Sequence, residues 1–325
     1  MPAPFIQHSH IKKFAEEKVN LKTDMVEKFV EQVDNLREGL ESYINDNPDY
    51  DLVKMLNSGS VAKGTALKTL DDMDVAVYLK QALDVKEEDL LSWLTDRLKE
   101  VYPQLKPDQF ECPPGSHCVS ILFKQSGLKV DVVPVIYEGD PDDYGYLTTK
   151  DTGERVLTSI PLHLEFIRKR KEAQPNHYVQ VVRLLKWWVR QQKAKDSTFG
   201  FKSFMVELLC AHLADGGLDM SDYPNALQKF FGYICQSGLK EQISFDDYYD
   251  KNALPSPNGD AIEIFDPVNP VNNIASKYSD ADRLKIIEAA TDSVEALAEA
   301  QFATTQERAV EMCRIVFGQS FQIIT

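Results

Sequence analysis

Three aspartates stand where apolar strands tolerate them least. In DDMDVAVYL, Asp72 and Asp74 alternate at the head of an apolar run ending at Leu79; in LKVDVVPVIY, a lone Asp131 interrupts another. Alternate residues of a strand share a face, so Asp72 and Asp74 point the same way, with Met73 and Val75 packed behind them. Asp71 falls on the other side or in the preceding turn, outside the site. A carboxylate among Val130, Val132 and Val133 is costly unless something cationic pairs with it. Three such groups on neighbouring strands form an all-oxygen set suited to Mg2+, which prefers carboxylates, water and substrate phosphates.

A phosphate-sized turn lies just upstream. In NSGSVAKGTALKTL, Gly59 lets backbone amides approach an anion closely, Ser60 can donate its hydroxyl and Lys63 adds a point charge. The stretch Ala62–Leu67 is expected to open a helix whose amides face that anion. Singly, each signal is bland, because most Gly-Ser pairs are plain turns and most Asp-x-Asp strand starts carry solvated acids. Their combination, with a third buried-looking Asp on a later strand, points to a metal-bound nucleoside triphosphate.

Several elements must position these groups. Apolar residues from Phe14 to Tyr43 recur at three- and four-residue steps and predict one long helix over 10–46. DLVKML and DVAVYL read as strands, EEDLLSWLTDRLKEVY as an amphipathic helix, and CVSILF with LKVDVVPVIY as a hairpin turning at Gln125-Ser-Gly. The β signal fades after Pro134, and from Pro161 the chain reads as helices. The expectation is an α+β fold: a lobe over 1–160 carrying the long helix and a mixed sheet, and an α-helical lobe over 161–325.

Composition narrows the partners. Over 325 residues, 36 Lys+Arg face 51 Asp+Glu, a net charge of −15 that disfavours tight non-specific binding to duplex nucleic acid. Basic charge concentrates in 167–195, where nine Lys and Arg face the single acid Glu172. No apolar run reaches the ~20 residues of a membrane span, the first residues carry no signal-peptide core, and the odd, scattered cysteines suit a reducing compartment; a cytoplasmic protein with no membrane partner is expected. Cys112, His117 and Cys118 lack the fourth ligand of a structural zinc and read as a loop. Trp187 and Trp188 read as core, His163 and His177 lack a nucleophile nearby, and SFDDYYD reads as solvated acidic surface.

The segments GSVAKGTALKTLDDMDVAVYL and LKVDVVPVIY resemble the nucleotidyltransferase superfamily with the polymerase-β-like fold. They resemble more closely the branch of 2′-5′-oligoadenylate synthetases, cyclic GMP–AMP synthase and the bacterial CD-NTases, and SIPLHLEFI and DPVNPVNNIA are most similar to the CdnC group. That resemblance implies catalysis with two Mg2+ ions, with Mn2+ able to substitute, bridged by Asp72 and Asp74 and completed by Asp131. The segments VVRLLKWWVRQQK and FGFKSFMVELL resemble those that hold the donor nucleotide. Arg183, Lys186 and Arg190 share one helical face, by itself a solvated basic stripe; the resemblance makes Lys186, and less directly Arg183, a triphosphate ligand. It likewise makes Ser203 a phosphate contact and Phe204 a base-stacking ring, with Phe where the family usually has Tyr. DPVNPVNN is expected to cap and position a helix.

The implied activity is condensation of NTPs, chiefly ATP, into a cyclic oligonucleotide such as cyclic tri-AMP, in anti-phage defence. A linear transferase acting on a small molecule, protein or RNA end is the alternative, and an inactive nucleotide-binding module is the third reading. The resemblance implies a HORMA-domain activator and an AAA+ ATPase remodeller. Over 10–45, six basic residues face eight acidic ones, so no strong direct activation by nucleic acid is expected.

Overall fold

The computed structural model describes residues 5–46, 51–68, 72–80, 86–139 and 141–323. The chain folds as two compact units: 21–165, and 1–20 together with 166–325. The division expected from sequence falls at 160/161, with the first twenty residues in the first lobe.

In the unit 21–165, helix α2 (Thr23–Asp46) precedes β1 (Asp51–Ser58), the short α3 (Gly59–Lys63) and β2 (Asp72–Lys80). Then come α4 (Leu90–Val101), β3 (Phe110–Glu111), β4 (Val119–Phe123), β5 (Leu128–Gly139), β6 (Tyr144–Thr148) and β7 (Arg155–Thr158). The sheet runs β1-β2-β5-β4-β3, with β6 pairing β5 and β7. Only β2 and β5 run parallel, and the other pairs are antiparallel, so the sheet is mixed as expected.

Period-2 alternation decides which face does what. Met73, Val75, Val77 and Leu79 of β2 and Leu128, Val130 and Val132 of β5 join one apolar core with Val33, Leu36 and Leu40 of α2 and Leu94 and Leu98 of α4. Each fully buried Val or Leu there contributes about 1.5–3 kcal/mol. The intervening residues of β2 and β5, Asp72, Asp74, Lys129 and Asp131 among them, occupy the opposite face. Further along that face Ala76, Tyr78 and Val135 form a second cluster, and the Tyr78 hydroxyl accepts the backbone N–H of Ile160 at 3.0 Å.

Strands β6 and β7 correct the reading that β structure ends near Pro134. Gly145 hid β6: a Cβ there would lie 2.5 Å from the Ile136 carbonyl oxygen, so the strand packs too tightly for the side chain that would mark it.

The predicted helix over 10–46 is also corrected. Helix α1 (His8–Phe14) runs into one π-helical turn over Ala15–Val19, Asn20 turns extended, and α2 starts afresh at Thr23. The break is fixed by a contact 160 residues away: the Asn20 and Gln180 carboxamides donate to each other at 2.7 and 3.0 Å. Phe14 packs in tilted ring contacts against Phe317 and Phe321, which ties α1 to the second unit. The charge count over 10–45 therefore spans two elements in different units rather than one helical surface.

The second unit adds α5 (Ile160–Ala173, whose first residues belong to the other unit), α6 (Tyr178–Lys195), α7 (Ser203–Asp215), α8 (Tyr223–Ser237), α9 (Asp280–Phe302) and α10 (Gln306–Phe317). Trp187 and Trp188 are core as expected, and their indole N–H groups donate to Phe317 O and Ser293 Oγ, each at 2.8 Å. One surface expectation and one capping expectation are corrected. Asp247, read as solvated, accepts from the buried Arg170 guanidinium at 2.8 and 3.0 Å, and Asp215 shares that guanidinium. Among the described residues, Asp266 and Asn273 of DPVNPVNN bind backbone amides of their own loop, and the cap of the helix that follows, α9, is Ser279 instead.

Burial, the largest single influence, would raise the Asp247 carboxyl, but the hydrogen bonds and charges of Arg170 and Lys169 together hold the group below the usual range. Its stabilisation is present above the ordinary carboxylate pKa and is lost as pH falls through the depressed one. Arg170→Met leaves that carboxylate with only the Lys169 ammonium at 3.5 Å, and urea unfolding is expected to show a loss of about 3 kcal/mol. An unchanged midpoint would show that Asp247 is solvated after all.

Candidate active site

The site is built where the strand ends meet a tight turn. Parallel β2 and β5 pair Asp74 with Asp131 and Asp72 with Lys129, so these four side chains occupy adjacent positions on one face. Antiparallel β1 ends with Ser58 opposite Asp74, and the chain then reverses at Gly59, whose φ is +66°. A Cβ on Gly59 would lie 1.7 Å from Asp74 Oδ2, so the backbone runs directly against that carboxylate.

Helix α3 begins at this turn, earlier than the stretch Ala62–Leu67 expected from sequence, and stops at Gly64, with φ +73°. The amide of Thr65 closes it by donating to Ser60 O at 2.8 Å. Ser60 and Lys63 lie on this single turn, and the Lys63 charge acts on Asp74. Asp71 lies outside the described residues.

The electrostatics are strained toward the anionic side. Asp74 is pushed up to about 6, first because burial disfavours its charge and then because Asp72 and Asp131 repel it; Lys63 and Lys129 offset part of this. Asp131 accepts from Ser120 Oγ at 2.5 Å and pairs with Lys129 at 3.2 Å. Sequence reasoning missed both partners. The hairpin register that puts residue 120 across from 131, and the two-residue step from 129 to 131, were available signals.

Among the described residues no group of three or more His, Cys, Asp or Glu side chains forms a ready cage for an ion. An open carboxylate row suits Mg2+ all the same, since it keeps several waters and takes substrate phosphates as ligands. The chemistry of the donor set fits: all-oxygen, with excess negative charge that raises Asp74. Cys112, His117 and Cys118 form no metal group; His117 Nδ1 lies 3.1 Å from Thr148 O, in the loop expected there.

The other four candidates lie in the second unit. Lys186 is not on a solvated stripe. It is 6 % exposed, and its ammonium donates to buried Glu207 at 2.5 Å. Arg183 is half-buried, burial lowers its pKa, and its Nε is buried with no hydrogen-bond partner among the described residues. Ser203 is the exposed first residue of α7, and Phe204 is half-buried beside it.

Comparison with known proteins matches the chain to a family. Residues 6–163 match the Second Messenger Oligonucleotide or Dinucleotide Synthetase (SMODS) domain. The chain is 45 % identical over 324 residues to the cyclic AMP-AMP-AMP synthase of Escherichia coli strain MS 115-1, covering 99 % of this chain and 100 % of that one. It is 30 % identical to the CBASS oligonucleotide cyclase CdnC of E. coli strain KTE188, over 98 % of both. The structure of E. coli MS115-1 CdnC with ATP superposes with a TM-score of 0.88, at 45 % identity, over 98 % of this chain and 99 % of that one. The same protein in complex with HORMA-deltaN gives 0.87 over the same shares at the same identity. The mixed sheet, the in-register acids and whole-length identity converge: the chain belongs to the SMODS nucleotidyltransferases, among the CdnC-type oligonucleotide cyclases.

Proposed function

We propose that this protein condenses ATP into cyclic tri-AMP with Mg2+, in the bacterial cytoplasm, as the signal-generating enzyme of an anti-phage system. The observation that carries the product is whole-length identity of 45 % to a cyclic AMP-AMP-AMP synthase. The face formed by Asp72, Asp74 and Asp131 supports the chemistry.

Asp72 and Asp74 would hold two ions between them, and Asp131 would complete the one nearer the attacking hydroxyl. When bound, these cations neutralise the triphosphate and make a ribose hydroxyl a better nucleophile. The Gly59 turn brings backbone against Asp74, and Ser60 and Lys63 offer a donor and a charge to phosphate oxygens from α3. Positioning and charge neutralisation supply most of the rate in such transfers.

In the helical unit, Arg183 fits a triphosphate better than Lys186. Its buried Nε lacks a partner among the described residues, whereas Lys186 must leave Glu207 to reach a ligand. Arg183→Ala is expected to weaken ATP binding about tenfold, or 1.4 kcal/mol, in calorimetric titration. Lys186→Met should instead destabilise the fold by about 3 kcal/mol, because it removes the ammonium that pairs with buried Glu207. The reverse pattern would return the triphosphate contact to Lys186. Ser203 and Phe204 are proposed as phosphate and base contacts.

A HORMA-domain protein is the proposed activator, since a 45 %-identical CdnC is known in complex with one, and an AAA+ ATPase is the proposed remodeller of that partner. The test incubates the protein with ATP and Mg2+, alone, with its HORMA partner, and with duplex DNA at low salt. A phosphatase-resistant product with the mass of a cyclic trinucleotide is expected. A linear product, or transfer only onto an added drug, protein or RNA end, overturns the cyclase reading; nucleotide binding without turnover in every condition would make the protein a binding module.

A further inference from the structure

One cation sits inside the row of acids. Lys129 is the register partner of Asp72, lies two residues before Asp131 on the same face, and pairs with Asp131 Oδ1 at 3.2 Å. Its charge also acts on Asp74. Ser120 meets the same oxygen: its buried hydroxyl donates to Asp131 Oδ1 at 2.5 Å from the neighbouring strand β4. Both contacts fall on Oδ1.

We propose that Ser120 and Lys129 are positioning residues for the transfer reaction: together they fix Asp131 by Oδ1 so that Oδ2 is presented to the divalent cation, and Lys129 serves as the internal counter-charge of the acidic row while no metal is bound. The proposal rests on the reading that Asp72, Asp74 and Asp131 hold that cation.

Two physical arguments support it. Three carboxylates on adjacent strand positions repel one another, and a neighbouring ammonium keeps them together without filling the site, because a Lys stem is long and flexible. A hydroxyl on a paired strand is fixed by the sheet, so it sets a rotamer that the lysine alone would leave loose. The two residues then have separable effects. Lys129 competes with an incoming cation for the same negative charge, whereas Ser120 sets geometry without competing.

The test titrates the full-length chain with Mn2+ alone, followed by electron paramagnetic resonance, and measures cyclic product kinetics in parallel. Lys129→Met is expected to bind Mn2+ about tenfold more tightly than wild type and to have a lower metal-free melting temperature that recovers at saturating Mn2+. Ser120→Ala is expected to leave Mn2+ affinity within twofold and KM for ATP unchanged, and to lower kcat about tenfold; Ser120→Thr should restore it. Equal or weaker Mn2+ binding by Lys129→Met, or an unchanged kcat in Ser120→Ala, overturns the proposal. Lys129→Gln replaces Lys129→Met if the latter does not fold. Asp131→Asn separates the two levels: if it binds Mn2+ like wild type, the metal assignment itself fails, and if it binds weakly while Lys129→Met is unchanged, only the positioning role fails.

Discussion

Asp74→Asn is expected to raise the melting temperature of the metal-free protein and to cripple nucleotide condensation. Asp74 is pushed up to about 6 by burial first, then by Asp72 and Asp131. An acid whose folded pKa exceeds its unfolded value favours folding when protonated. Stability is therefore greatest below the ordinary value of 3.8 and is lost as pH rises towards about 6. Near pH 7 the wild-type carboxylate carries the whole penalty, on the order of 2 kcal/mol after allowance for solvent. Asparagine keeps the shape without the charge, so thermal unfolding should show the gain at pH 7.5 and none at pH 3.5. Product formation should fall roughly 10³-fold, because charge stabilisation in the transfer step is lost. A variant that is both more stable and fully active would contradict the assignment.

Gly59→Ala carries the second large effect. The new Cβ would sit 1.7 Å from Asp74 Oδ2, and the backbone there has φ +66°. The left-handed conformation alone costs an L-residue about 1–2 kcal/mol. The clash adds a functional cost, since either the turn or the carboxylate must move. Activity is expected to drop at least ~100-fold, as sub-ångström geometry sets the rate of such steps. Gly64→Ala is the control. Gly64 has φ +73° but nothing within 4 Å of its would-be Cβ, so it should lose similar stability and keep most activity. Comparing activity and melting temperature of the two variants separates backbone strain from the Asp74 contact. Equal activity in both would remove the close approach from the account.

Legibility in the sequence followed the range of the physics. The acidic row could be read because period-2 alternation is local: Asp72 and Asp74 in β2 and Asp131 in β5 are conspicuous among Val, Met and Leu. Their registration, Asp74 beside Asp131, needed the parallel pairing of strands more than fifty residues apart. Lys129 was overlooked because a lysine two residues from a buried-looking acid reads as ordinary strand polarity until Asp72 is seen beside it. The helix break at Asn20 was hidden for a similar reason. The apolar spacing continues through the π-helical turn, while the contact that fixes the break comes from Gln180. Asp247 looked solvated because its partner, Arg170, lies 77 residues away in sequence.

The most direct measurement is anomalous diffraction from crystals grown with Mn2+ and a non-hydrolysable ATP analogue. Two manganese peaks are expected, coordinated by Asp72 and Asp74, one of them also by Asp131, with the triphosphate along Gly59–Ser60 and Lys63. Manganese bound elsewhere, or a triphosphate held away from this row of acids, would contradict the assignment.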